Sequence, residues 1–261
     1  GNIFVVIFAK NTNNNFIIPV LIASLIPIIN FLLVFFYLPE TKPKNDSNKS
    51  KAILRNPLKE LFTVFKEEKI KKLSLAFFIY FIAFTGLTNI LIFFLQESLN
   101  WTTKASSGTL VVVGIIAIIV QGGLIGPLVK KFGEMRLTLI GSGFILVACS
   151  LLITAPKENA TINIYSAVSF LAIGAGLITP TLRALISKKL DVNKQGSILS
   201  NLQGLQSLGG VLGIAMAGRV YDSFGPKSPF IAGSIILIFM IYLIAEGKNN
   251  KSIYDQKTNL F

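Results

Sequence analysis

Seven apolar runs, each bounded by polar or glycine-rich punctuation, dominate this chain. They cover Phe16 to Leu38, Leu73 to Leu95, Thr109 to Val129, Leu137 to Ala155, Ile162 to Ile186, Ile198 to Tyr221 and Pro229 to Ala245. A hydrocarbon core roughly 30 Å thick needs about 20 apolar residues at about 1.5 Å of helical rise each. In lipid a chain satisfies its own backbone polar groups only as a helix or a closed barrel. The runs therefore predict transmembrane helices, and the fold class is an all-α polytopic membrane bundle. Ile3 to Ala9 is too short to cross alone, and Asn11 to Asn15 is a polar turn, so residues 1–15 read as the stump of an earlier helix with its outer loop. With Gly1 in first place and no leader pattern, a truncated amino terminus is expected.

Between the first two runs, residues 39–72 form the longest connection. Thr41 to Lys51 is rich in Lys, Asn and Ser and reads as a solvated linker. Pro57 to Lys72 places Leu58, Leu61, Phe62 and Phe65 at helical spacing, with Lys59, Lys66, Lys69, Lys71 and Lys72 on or beside the polar side. That pattern fits an interfacial helix on an anionic leaflet and equally an amphipathic lead-in to the next span. Residues 73–247 then make a six-helix bundle, and 248–261 a polar tail.

Composition agrees with lipid as solvent: 52% of the 261 residues are hydrophobic and 14% charged, against about a quarter charged in soluble domains. The net charge of +13 is spread between apolar runs rather than gathered on one solvated face, so a nucleic-acid partner is not indicated. Its distribution sets the orientation. Twenty Lys and Arg fall in residues 39–72, 130–136 and 183–194 and in the tail; the alternate connections hold Lys10, Lys104, Lys157, Arg219 and Lys227. Basic residues near span ends are retained in the cytoplasm, which places the carboxyl terminus there.

The chemistry-bearing residues exclude more than they suggest. There is no His, a single cysteine (Cys149, inside an apolar run), no phosphate loop and no pair of acids within a span, so no catalytic set, metal site or cofactor is expected. Glu97 and Asp222 stand at outer span ends, where solvation is cheap. What remains is a set of uncharged polar groups inside helices. Thr85, Asn89 and Gln96 share one face of the second span; the third carries Gln121, and the sixth places Gln203, Gln206, Ser207 and Gly210 on one face. The fourth and seventh spans contain no Asn or Gln, and the first only Asn30. Such stripes serve either as a substrate path or as interhelical glue. Gly209, Gly213 and Gly218 thin one flank of the sixth span for close packing or a moving interface. Pro180 predicts a kink in the fifth span, and Arg183, one turn on, is expected to snorkel to the headgroups.

Several of these segments together resemble the carboxyl-terminal half of a major facilitator superfamily transporter, most closely the drug:proton antiporter branch that includes tetracycline efflux proteins. Tyr37-Leu38-Pro39-Glu40-Thr41 is similar to the exit of that family's sixth helix into its central loop. The stretch from Gly126 to Arg136, with Gly133 and a basic ending, resembles its repeated Gly-x-Leu-x-Asp-Arg-x-Gly-Arg-Lys loop, with Lys130 at the usual Asp. Thr179-Pro180-Thr181-Leu182, Gln195-Gly196 and the glycines from Gly209 to Gly218 resemble the branch's later helices, with Gly213-Ile214 where an antiporter helix has Gly-Pro.

The resemblance implies helices six to twelve of a twelve-helix fold in which the first, fourth and seventh spans here are peripheral. It further implies proton-coupled export of small amphipathic organic compounds by alternating access, in a bacterial inner membrane, with a separate amino-terminal half as partner. Uptake of a sugar or metabolite, and a non-transporting scaffold or receptor, are the competing readings.

Overall fold

A computed structural model describes residues 17–37, 61–156, 160–190 and 192–258. Among these the chain is helical throughout and divides into two units, residues 1–56 and 57–261, which are taken separately. In the first unit, α1 (Ile17–Tyr37) is apolar along its length and contains Pro27. The stump at 1–15, the solvated linker and residues 57–60 of the basic lead-in lie outside the described residues.

The second unit holds six long helices. α2 runs Lys71–Ser98, α3 Thr103–Phe132, α4 Glu134–Ile153 and α5 Thr161–Ser187; α6 is Val192–Phe224 and α7 Ser228–Thr258. Five of the described helices, α2 to α5 and the Ser228–Glu246 part of α7, are long and apolar enough to cross a membrane. α6 is longer still, at 33 residues, but its Asn, Gln and Ser content makes it the most polar of the set.

Two helices carry π turns. In α2 the turn covers Phe94–Ser98; in α3 it covers Val120–Leu124, with the Ile125 N–H reaching back to the Val120 carbonyl. Pro127 has no N–H to donate to the preceding turn, and Gly122 and Gly123 give the widened backbone room. Helix α3 continues to Phe132, so the expected seven-residue connection from Lys130 to Arg136 contracts to Gly133 alone. Lys130 and Lys131 stay in the last turn, where the helix dipole favours cations. Gly133 adopts φ 76°, a conformation a β-carbon would strain, and its N–H closes onto the Val129 carbonyl at 2.9 Å.

Packing is closest where glycines meet. α2 crosses α6 at Gly86 and Gly213: a β-carbon on Gly213 would lie 2.2 Å from the Ile82 carbonyl oxygen, and one on Gly86 2.8 Å from the Gly213 oxygen. α4 crosses α5 in the same reciprocal way at Gly141 and Gly174, with corresponding distances of 2.9 and 2.6 Å. Beside that second crossing, Thr138 and Thr181 join their hydroxyls at 2.8 Å in a buried interhelical bond. α7 packs on α2 and α4, and α3 on α5. Buried Phe77, Tyr80, Phe94, Ile145, Ile164 and Phe230 form a continuous core across α2, α4, α5 and α7. Cys149 is buried within it, as its apolar setting predicts.

The lead-in to α2 is described from Leu61 on: it has a 3-10 stretch, Phe62–Lys66, and a turn at 68–70, with Val64 and Ile70 fully buried and Phe62 exposed. Leu61 fills the space over Gly204, the Asn201 amide donates to Thr63 Oγ1 at 3.2 Å, and Lys194 Nζ meets Glu67 Oε1 at 2.6 Å. The segment docks on α6 because that helix offers a glycine notch to an apolar side chain and polar partners on either side of it. Lys194 holds the Glu67 carboxyl below its usual range by hydrogen bonding and charge. Lys72 with Glu246 (2.6 Å) and Lys188 with Glu134 fasten the same end of the bundle, the end rich in basic residues.

Candidate substrate-path residues

The residues singled out for a path separate into two groups. Gln203 and Gln206, one turn apart on α6, turn their amide oxygens toward α5. There Arg183 donates from Nη2 to Gln203 Oε1 at 2.7 Å and to Gln206 Oε1. The guanidinium also lies over the Phe77 ring of α2, with Cζ 5.9 Å from the centroid. Ser207, exposed, donates back to the Gln203 carbonyl at 3.2 Å.

Arg183 is therefore not a residue reaching out to headgroups; it turns inward and cross-links two helices. The expectation of snorkelling rested on its position one turn from the end of α5, which suits either direction. Two amide oxygens across the gap, and an aromatic face beneath, decide it. A turn earlier on α5, Thr179 shares a hydrogen bond of 3.3 Å with the buried Tyr80 hydroxyl of α2.

The other polar residues stand apart. Asn89 is exposed and bonds its own helix, donating to the Thr85 carbonyl at 2.9 Å. Gln96 falls in the π turn of α2 and is half-buried; the wider turn takes it out of the 3.6-residue register that put it in line with Asn89. Gln121 sits in the π turn of α3 and is exposed.

The packing residues also divide. Gly209 and Gly213 meet α2 closely, whereas a β-carbon on Gly218 or Gly126 would find nothing within 4 Å. The close face of α6 continues from Gly209 and Gly213 to Ala217, which lies 3.1 Å from a β-carbon on Gly86, and Gly218 falls off that face. Arg136 is exposed near the start of α4, and Pro180 lies inside a continuous α5 helix. Gly86, Gly141 and Gly174 carry contacts tighter than that of Gly209, at 2.6–2.9 Å against 3.1 Å. Their partners on the facing helix show the need for them.

Two cavities flank this arrangement. One, of about 350 Å³, opens between α5 and α6 and is lined by Arg183, Ala184, Ser187 and Leu199. The other, about 460 Å³, is an apolar groove between α3, α4 and α5 with Val120, Phe144, Ile173 and Leu177 in its wall. Among the described residues no group of His, Cys, Asp and Glu could hold a metal.

Arg183, Gln203, Gln206, Tyr80 and Thr179 thus place polar contacts between α2, α5 and α6 of this apolar bundle. The Major Facilitator Superfamily description matches residues 3–214, and the chain belongs to that family. It is 24% identical over 204 residues to the class H tetracycline resistance protein of Pasteurella multocida, covering 78% of this chain and 50% of that protein. It is also 24% identical over 181 residues to multidrug resistance protein 2 of Bacillus subtilis (strain 168), covering 68% and 44%. Among solved structures, the human organic anion transporter MFSD10 (TETRAN) superposes with a TM-score of 0.68 at 21% identity, over 83% of this chain and 54% of that one. The chain thus spans about half the length of the relatives it matches, and it is an integral membrane protein of a transporter family.

Proposed function

We propose that this chain supplies the carboxyl-terminal bundle of a secondary transporter that exports small amphipathic organic compounds against proton entry. The whole transporter works by alternating access in a bacterial inner membrane, with the carboxyl terminus of this bundle in the cytoplasm. The observation that carries the reading is the Arg183–Gln203–Gln206 cluster: polar groups in an apolar bundle, drawn from helices that the family resemblance assigns to the central cavity. A midplane site between two rocking bundles needs such groups on each side, and here one side is present. The tetracycline and multidrug resistance proteins among its relatives support organic compounds as the substrate class.

The test joins this chain to about five upstream helices and measures uptake of an amphipathic dye into inverted membrane vesicles energised by a proton gradient. Uptake that collapses with the gradient, and that falls in Gln203→Leu at unchanged membrane abundance, is the expected result. Transport by the purified chain alone, shown to be monomeric by sizing and cross-linking, would refute the half-transporter reading, because one bundle cannot alternate against itself.

A further inference from the structure

Among the described residues Arg183 has no counter-ion. Its two recorded hydrogen bonds go to neutral amide oxygens, and both leave from Nη2. Its Nε is buried and has no hydrogen-bond partner. Among the described residues the acids with described side chains are Glu67, Glu68, Glu97, Glu134, Asp222 and Glu246, and none of them is ion-paired with Arg183. Five are engaged by other groups, Glu67 by Lys194, Glu68 by Lys71, Glu134 by Lys188, Glu246 by Lys72 and Glu97 by the Tyr221 hydroxyl. The carboxyl end of α5 supplies a partial negative charge, about half an elementary charge spread over its last turn. That offsets only part of a guanidinium that has left water.

A cation inside a membrane bundle is costly unless an anion answers it. The 350 Å³ cavity with Arg183 in its wall is where one can enter. Leu199 and Ala184 make the rest of that wall largely apolar, and Ser187 adds a hydroxyl. The two glutamines hold the guanidinium from Nη2, so its charge is fixed beside the cavity rather than ordered on binding.

We propose that Arg183, braced by Gln203 and Gln206, binds the anionic group of a small amphipathic substrate in the cavity between α5 and α6. This rests on the transporter reading and narrows its substrate class to compounds with a carboxylate, sulfonate or phosphate. The same chemistry could arrive as the headgroup of an anionic phospholipid, and the experiment separates the two.

The chain is purified into nanodiscs of phosphatidylcholine, and binding is measured for 1-naphthaleneacetate, its neutral amide and 1-naphthylethylamine. The expected result is a carboxylate preferred by at least about tenfold over the amide, the scale of one charge-assisted hydrogen bond. Arg183→Gln removes the preference and Arg183→Lys keeps part of it. Equal binding of the three probes, or no binding of any, by protein of unchanged helical content and melting temperature would overturn the proposal. So would a preference that persists in Arg183→Gln.

Loss of the carboxylate preference in discs containing phosphatidylglycerol assigns the site to lipid and overturns the substrate assignment. In vesicles with the upstream helices restored, transport of the amine with no preference for the carboxylate overturns this inference and leaves the transporter reading standing. Selective binding without transport of any probe does the reverse.

Discussion

Replacing Gly213 by alanine tests the α2/α6 crossing most directly. The added β-carbon would lie 2.2 Å from the Ile82 carbonyl oxygen, 3.0 Å from its carbon and 3.1 Å from Cα, all backbone atoms that no rotamer change can move. An ordinary contact begins at 3.4 Å, so α2 and α6 must separate by about 1.2 Å at this level. Across the crossing the Gly86 contacts would open, and the Gly209 contact with Phe78 on the same face would stretch with them. Overpacking of this kind costs about 1–3 kcal/mol, against a helix-propensity gain of up to about 1 kcal/mol for alanine over glycine. Gly218→Ala takes the same gain with nothing within 4 Å to clash. Thermal unfolding of the two variants in one detergent, followed by circular dichroism, isolates the clash. At the roughly 2–4 °C per kcal/mol typical of large domains, Gly213→Ala should melt several degrees below Gly218→Ala, which should match or exceed the parent. Equal melting temperatures would show that the two backbones are not in contact, and the placement of α6 on α2 would fall.

Three further outcomes follow from the same geometry. Thr138→Val and Thr181→Val should each destabilise by about 0.5–1.5 kcal/mol and the double variant by less than their sum, since membrane side-chain bonds average about 0.6 kcal/mol; full additivity in a double-mutant cycle of unfolding would show that the hydroxyls do not meet. Because Lys194 lowers the Glu67 pKa below the ordinary 4.5, the contact is intact above the carboxyl range and is lost as pH falls through the lowered value. Amide hydrogen exchange of residues 61–70, measured across pH and corrected for intrinsic rates, should therefore speed up in the parent as pH falls, while Glu67→Gln should exchange at the faster rate throughout; identical profiles would remove Glu67 from the docking of this segment. In a background lacking Cys149, cysteine at Lys227 should react with an impermeant maleimide in intact cells and cysteine at Lys131 only after permeabilisation, and the opposite pattern would invert the orientation.

The helices were legible because lipid leaves so little choice: a run of twenty apolar residues has to be a helix, and its length is set by the bilayer. Their ends were less so. Gly133 looked like one residue of a polar loop, and nothing in Lys130 or Lys131 says that α3 continues through both. The polar census led to Gln203 and Gln206 because two amides a turn apart in an apolar helix are expensive without partners. It did not lead to their partner. Arginine near a helix end has a stem long enough to face water or the bundle, and local sequence does not record what waits on the neighbouring helix. Gln96 shows a different limit: its face was read by counting 3.6 residues per turn, and it lies in a π turn, Phe94–Ser98, where that count does not hold. The docking of Leu61 on Gly204 was invisible for the same cause as Arg183, since the residues lie far apart in the chain and meet only in space.

These contacts differ in kind, and the difference bears on movement within the bundle. At α2/α6 and α4/α5 the helices touch backbone to backbone through paired glycines, so each pair can shift only as a unit without opening a gap. Between the two pairs lie the apolar core shared with α7, which packs on both α2 and α4, and two polar links, Arg183 to Gln203 and Gln206 and Tyr80 to Thr179. Hydrogen bonds exchange partners within an ångström or two, and a glutamine released by Arg183 can turn to another donor where a clashing β-carbon has no alternative. The polar cross-link is thus the part of this contact that can be remade, and the cavity beside Arg183 opens next to it. An anion bound by Arg183 while Gln203 and Gln206 hold it would add to that cross-link, so occupancy of the site and the relative placement of α5 and α6 would be coupled through the same three side chains.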